Sequence, residues 1–130
     1  MRWTEFTRRN IYRRQKYSWN PDLIFITNFT PATPEDLCHN TISGYDWTGI
    51  QAVKDGNVHK MPLGMYRSFT PGIDTPVTLL WLAKTAYPEL FEDVDITAEA
   101  MNYYKDVFGV ELTNEQAQSI FAPSSDAGKI

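Results

Sequence analysis

Arg67 is the residue of this chain whose type and setting point most directly to recognition chemistry. It lies in a loop from Leu63 to Asp74, where Met65, Tyr66, Arg67 and Phe69 are interleaved with glycine and proline. A guanidinium presents a planar fork of donors that pairs bidentately with anionic oxygens. Tyr66 and Phe69 offer faces for stacking, and Met65 supplies an adaptable apolar surface. An ion pair that braces the loop is an equally good use of Arg67, and the sequence leaves both open. One further residue is a candidate ligand contact by position. Asn28 follows an apolar strand, at the end where open α/β sheets bind ligands, although a turn residue bonding its own backbone is the commoner role. Tyr45 and Trp47 precede a short helix, and core packing is the expected use of Trp47.

Other chemistries lack their residues. His39 and His59 stand apart from any patterned set of cysteines and carboxylates, so no metal site is expected. The motifs G-x-S-x-G, H-E-x-x-H, the phosphate-binding loop and G-x-G-x-x-G are all missing, and no catalytic constellation is legible. Cys38 is the single cysteine, which excludes an intrachain disulfide. Glu89, Glu92, Asp93 and Asp95 read as a solvated acidic turn, with calcium the weaker alternative.

The elements that must position these residues follow from pattern and punctuation. Leu23-Ile24-Phe25-Ile26-Thr27 is a continuous apolar run, as in a strand covered on both faces of a parallel sheet. Thr33-Pro34-Glu35-Asp36 reads as an N-cap, a proline at the first helical position and acids in the first turn. Ala52-Val53-Lys54 closes a helix, Asp55-Gly56 turns the chain, and Asn57 to Met61 alternates as a second strand ended by Pro62. Thr75-Pro76 opens a helix in which Val77, Leu80, Trp81 and Ala83 to Ala86 keep helical spacing up to Tyr87-Pro88. Asp95 or Thr97 caps a helix through Met101, Tyr104 and Phe108 to Gly109, and Thr113-x-x-Gln116 is a capping box for a last helix ending near Phe121.

Three of these pieces, in this order, resemble the C-terminal lobe of ABC-transporter substrate-binding proteins of the family that takes up ferric siderophores, haem and cobalamin. They are Trp19-Asn20-Pro21-Asp22 with its apolar strand, Ala52 to Val58 (AVKDGNV), and Leu79 to Lys84 with Tyr87 to Phe91 (LLWLAK and YPELF). The resemblance spans roughly residues 18–121. It implies a three-layer α/β lobe with a small, mainly parallel, Rossmann-like sheet, and a protein that is not an enzyme. It implies non-covalent capture of a ferric siderophore, with haem or cobalamin as the alternative ligands. Arg67, Tyr66, Met65, Phe69, Tyr45, Trp47 and Asn28 would meet the chelate. No cofactor is expected on the protein itself, because the chelator holds the iron. The partners implied are an ABC permease, met by Asp74, and the N-terminal lobe of the same protein. The location implied for the full-length parent is extracytoplasmic, although MRWTEFTRRN lacks the apolar core of a signal peptide. The chain is accordingly expected to be a lobe or fragment of a longer protein.

Composition bounds the remainder. At 130 residues the chain can form one core, and a net charge of −4 gives no reason to expect nucleic-acid binding overall. Charge is nevertheless uneven: Arg2, Arg8, Arg9, Arg13, Arg14 and Lys16 crowd the first residues. A solvated helix face or fragment end is the expected reading of this arm, with nucleic-acid contact by a small intracellular α/β interaction module as the rival. The expected organisation is a basic, helical segment over 1–17, the α/β lobe over 18–122 and a disordered tail over 123–130.

Overall fold

The computed structural model describes residues 16–68 and 70–124. The fold is α/β, with a small parallel sheet of two strands and helices, as the sequence leads one to expect. In order, the elements are β1 (Ile24–Ile26), α1 (Pro34–Cys38), α2 (Gln51–Lys54), β2 (Val58–Lys60), α3 (Thr75–Ala86), a 3-10 turn (Pro88–Leu90), α4 (Ile96–Phe108) and α5 (Asn114–Phe121). The chain divides into two compact units, one comprising residues up to 26 and 32–59, the other 27–31 and residues from 60 onward.

The first unit is built around the two strands. Ile26, Leu37, Ile50, Ala52, Val53 and Val58 form its buried core, with Ile24, Ala32, Ile42 and Trp47 packed against it. Ile50 is wholly enclosed, so truncating it to alanine should cost roughly 2–5 kcal/mol. The Trp19–Asp22 segment acts on α2 directly. Asn20 Oδ1 accepts the Gln51 N–H at 2.9 Å, and the Pro21 carbonyl accepts the Ala52 N–H at 2.9 Å. These are donors of a helix first turn, which otherwise lack partners. On return, Asn57 Nδ2 donates to the Asp22 carbonyl at 2.6 Å. Ile50 itself, at the cap position, supplies no side-chain cap. At α1, Thr33 and Asp36 make the reciprocal capping box, with Pro34 in the first turn.

The second unit is helical. Val77, Thr78 and Trp81 are the buried residues of α3, Ala100 and Tyr104 those of α4, and Ala117 that of α5. Asp95 Oδ1 accepts the Thr97 and Ala98 N–H groups to cap α4, which ends at Gly109 with φ 66°. Thr113 and Gln116 form the expected capping box of α5. The Leu63 N–H donates to the Ile120 carbonyl at 2.8 Å, tying the start of the recognition loop to the end of α5.

Residues 16–19 are helical, while the remainder of the basic arm, Phe69 and residues 125–130 lie outside the described residues. The 3-10 turn after Tyr87-Pro88 was not anticipated; Pro88 ends α3 but is accommodated as the first residue of a tighter turn.

His59 has a pH consequence. It is half-buried beside Phe25, with ring centroids 6.1 Å apart, and its Nε2 lies 2.9 Å from Asn57 Oδ1. Burial pulls its pKa below the ordinary 6.5. On acidification the unfolded chain therefore takes up a proton first. The contribution of neutral His59 is intact above about pH 6.5 and is lost as the pH falls below it. Thermal unfolding followed from about pH 8 to pH 5 should show a shallower acid loss for His59→Gln than for the parent; equal slopes would contradict this.

Candidate functional site

The loop after Pro62 folds back on itself. Leu63 and Arg67 form an antiparallel bridge, which places Gly64, Met65 and Tyr66 at the tip of a tight hairpin. Tip residues of so short a hairpin have little to pack against, and Met65 and Tyr66 are each 58% exposed. Arg67 returns along the other arm and lays its guanidinium over the Phe29 ring, 5.0 Å from the centroid. Stacking of this kind engages the face of a guanidinium, whose N–H donors lie in its plane.

Phe29 is held by the segment that carries it. Lys60, buried at the end of β2, donates through Nζ to the carbonyls of Thr27 at 3.1 Å and Thr30 at 2.6 Å. Asn28 is fully buried and donates through Nδ2 to the Met61 carbonyl at 2.7 Å. Its Oδ1 has no hydrogen-bond partner among the described residues. Together Lys60 and Asn28 fix the 27–31 segment so that Phe29, 49% exposed, faces out.

The hairpin is anchored from below by Asp74. This carboxylate, expected from the resemblance to face a permease, is only 6% exposed and turns inward. Its Oδ2 accepts the Met65 N–H at 3.0 Å and the Tyr104 hydroxyl at 3.3 Å. Asp74 occupies the N-cap position of α3, but its side chain makes no cap bond. A buried carboxylate is tolerated only with such partners. Burial first, and then the charge of Asp74, push the Tyr104 phenol up to about 12, so it stays a donor at neutral pH. Gly64 makes the close approach feasible: a Cβ there would lie 2.1 Å from Asp74 Oδ2 and 2.8 Å from the Tyr104 oxygen.

Tyr45 and Trp47 fall in the other unit and form a group of their own. Their rings are stacked, 6.4 Å apart, and Lys16 Nζ lies over Trp47 at 4.0 Å. Trp47 packs on the core and its Nε1 is buried without a hydrogen-bond partner among the described residues. The structure thus brings Arg67, Tyr66 and Met65 onto one hairpin, turns Asn28 and Asp74 inward as braces, and sets Tyr45 with Trp47. Phe69 lies outside the described residues. Sequence reasoning passed over Phe29 and Lys60. An aromatic one residue past the carboxyl end of an apolar strand was the available signal for the first; a lysine at an inward strand position gave none for the second. No cluster of three or more histidine, cysteine or carboxylate residues suited to a metal occurs among the described residues. No helix among them is long and apolar enough to cross a membrane.

Comparison with known proteins agrees with this architecture. No family model matches the chain. It is 32% identical over 103 residues to the molybdate-binding protein MolA of Haemophilus influenzae, covering 76% of this chain and 27% of MolA. Its structure is similar to a periplasmic solute-binding protein of Veillonella parvula, with a TM-score of 0.79, 28% identity, and coverage of 85% of this chain and 33% of that one. It is also similar to Helicobacter pylori CeuE in a nickel–histidine complex, with a TM-score of 0.61 and 30% identity over 83% of this chain and 32% of CeuE. The chain therefore spans a third or less of the length of the relatives it matches. Its fold is that of a lobe of a periplasmic solute-binding protein, and these relatives are binding proteins, not enzymes.

The Asp74 anchor leads to a stability prediction. Gly64→Ala should cost about 1–3 kcal/mol, because the new methyl displaces Oδ2 from the Met65 N–H. Urea unfolding checks this; a midpoint equal to that of the parent would show that the hairpin base is not packed as described.

Proposed function

We propose that this chain, similar in sequence and fold to periplasmic solute-binding proteins, binds an anionic, metal-containing small solute through the Arg67 hairpin. The observation that carries the reading is the Arg67 guanidinium stacked on Phe29 beside exposed Tyr66 and Met65. That arrangement offers a fork of charged donors next to apolar and aromatic surface, which suits a chelate with anionic oxygens on an organic frame. Within this class a ferric siderophore is the proposed solute, as the motif resemblance implies; the chelator satisfies the metal, so the protein supplies no ligands to it. The names of the relatives, molybdate-binding MolA and CeuE with nickel–histidine, support metal-containing solutes more broadly. Haem and cobalamin are the alternatives.

In the full-length parent the role would be that of the solute-binding component of an ABC importer, outside the cytoplasmic membrane, with another lobe completing the site. Closure around the solute would then create the form that meets the permease. The inward Asp74 favours a structural role for that residue, so the permease contact falls to other surface residues of the lobe.

Intrinsic tryptophan fluorescence titrated with ferric siderophores, molybdate, nickel–histidine, haem and cobalamin tests the reading. One anionic class should quench saturably. Arg67→Ala should weaken that binding at least about tenfold, and Arg67→Lys should fall between, since lysine keeps the charge but loses the fork. Unchanged affinity in Arg67→Ala would overturn the assignment of the hairpin.

A further inference from the structure

The first unit holds a second constellation, of opposite ligand chemistry. Lys16 Nζ stands 4.0 Å from the centroid of Trp47, 5.0 Å from that of Tyr17 and 5.6 Å from that of Tyr45. The same ammonium donates to the Asp46 carbonyl, which also accepts the Tyr17 hydroxyl at 2.6 Å. Three π faces and a carbonyl oxygen converging on one ammonium is the arrangement by which aromatic cages select organic cations.

The cage walls are set by features other than Lys16. Tyr45 and Trp47 stack on one another, and Trp47 is seated on the core of the unit. The Tyr17 ring lies against Gly49, where a Cβ would come within 3.2 Å of its edge, so the ring sits closer than a larger residue would allow. The Asp46 carboxylate is bonded to the N–H and hydroxyl of Thr48, at 3.0 and 2.8 Å, which fixes the turn that carries the Asp46 carbonyl. Beside Lys16 an open pocket of about 450 Å³ is lined by Lys16, Tyr17, Gly44, Tyr45 and Asp46. Among the described residues, an incoming group has room to approach without rearranging the walls.

We propose that Tyr17, Tyr45, Trp47 and the Asp46 carbonyl form a binding site for a primary alkylammonium group, in which Lys16 is a tethered, displaceable occupant. A protonated amine is required because the carbonyl needs an N–H donor, which a quaternary cation lacks, and a primary one reproduces the Lys16 ammonium that occupies the site. The tether gives Lys16 a high effective concentration, so an external amine competes poorly until Lys16 withdraws. The site is independent of the Arg67 hairpin: it selects a cation where the hairpin selects an anion.

The test uses n-butylammonium, which reproduces the lysine side chain, with n-butanol as the neutral control. The Trp47 indole N–H resonance is followed in the whole chain and in Lys16→Ala, after circular dichroism has established that both are folded. In Lys16→Ala, butylammonium should shift the resonance saturably while butanol does not, and in the parent the same shift should require roughly tenfold more amine or greater. No saturable shift in the folded variant, or an equal response to butanol, would overturn the site. Saturation in the variant with none in the parent at a hundredfold higher amine would also overturn it, since Lys16 would then be a fixed structural cation. A Lys16→Arg variant that is folded and blocks butylammonium as the parent does would show that any tethered cation fills the cage.

Discussion

The hairpin from Leu63 to Arg67 depends on one buried carboxylate. The Asp74 carboxylate lies beneath residues 64–66 and is compensated by the Met65 N–H and the Tyr104 hydroxyl. A charge in that position is costly unless its oxygens are bonded, so the surrounding groups are constrained to fit it. Position 64 must lack a side chain, position 65 must turn its amide inward, and α4 must present a phenol rather than a phenyl ring. With the base fixed, the tip residues Met65 and Tyr66 face outward and Arg67 returns over Phe29. A loop of glycines and prolines thereby becomes a defined platform without regular secondary structure around it.

Local rules made much of the fold legible. Thr33, Asp95 and Thr113 start helices where capping chemistry says they should, and Gly109 ends one. The two strands were visible as a continuous apolar run and an alternating run, each somewhat longer than the strand that forms. The resemblance to binding-protein motifs also acquires a physical basis. Asn20, Pro21 and Asp22 bond to Gln51, Ala52 and Asn57, so the WNPD and AVKDGNV segments work as one device that sets α2 against β1.

What stayed hidden depends on long-range geometry. Nothing local distinguishes an aspartate that caps a helix from one that turns away to hold a loop nine residues upstream, and Asp74 does the second. Lys60 is one unremarked residue of an alternating strand in the sequence, yet its ammonium holds the carbonyls of Thr27 and Thr30. Phe29 emerged as a platform only because Lys60 and Asn28 constrain the segment around it. Lys16 read as one charge of a basic arm, whereas its ammonium sits among three aromatic rings. For Asp74 and Lys60 the side chain is polar and its bonded partner is more than eight residues away, beyond the reach of periodicity or capping rules. The two constellations that result differ in kind, a guanidinium stacked on an aromatic ring and an ammonium among three aromatic rings.

Hydrogen exchange of the Met65 amide tests the central claim most directly. That N–H sits in an exposed hairpin, and it donates to the Asp74 carboxylate beneath it, with the Tyr104 oxygen alongside. Measured by NMR at neutral pH, the Met65 amide should exchange at least about tenfold slower than a free loop amide and lose that protection in Asp74→Ala. Exchange at the free-loop rate in the parent, or protection unchanged in Asp74→Ala, would contradict the account of how the hairpin is held.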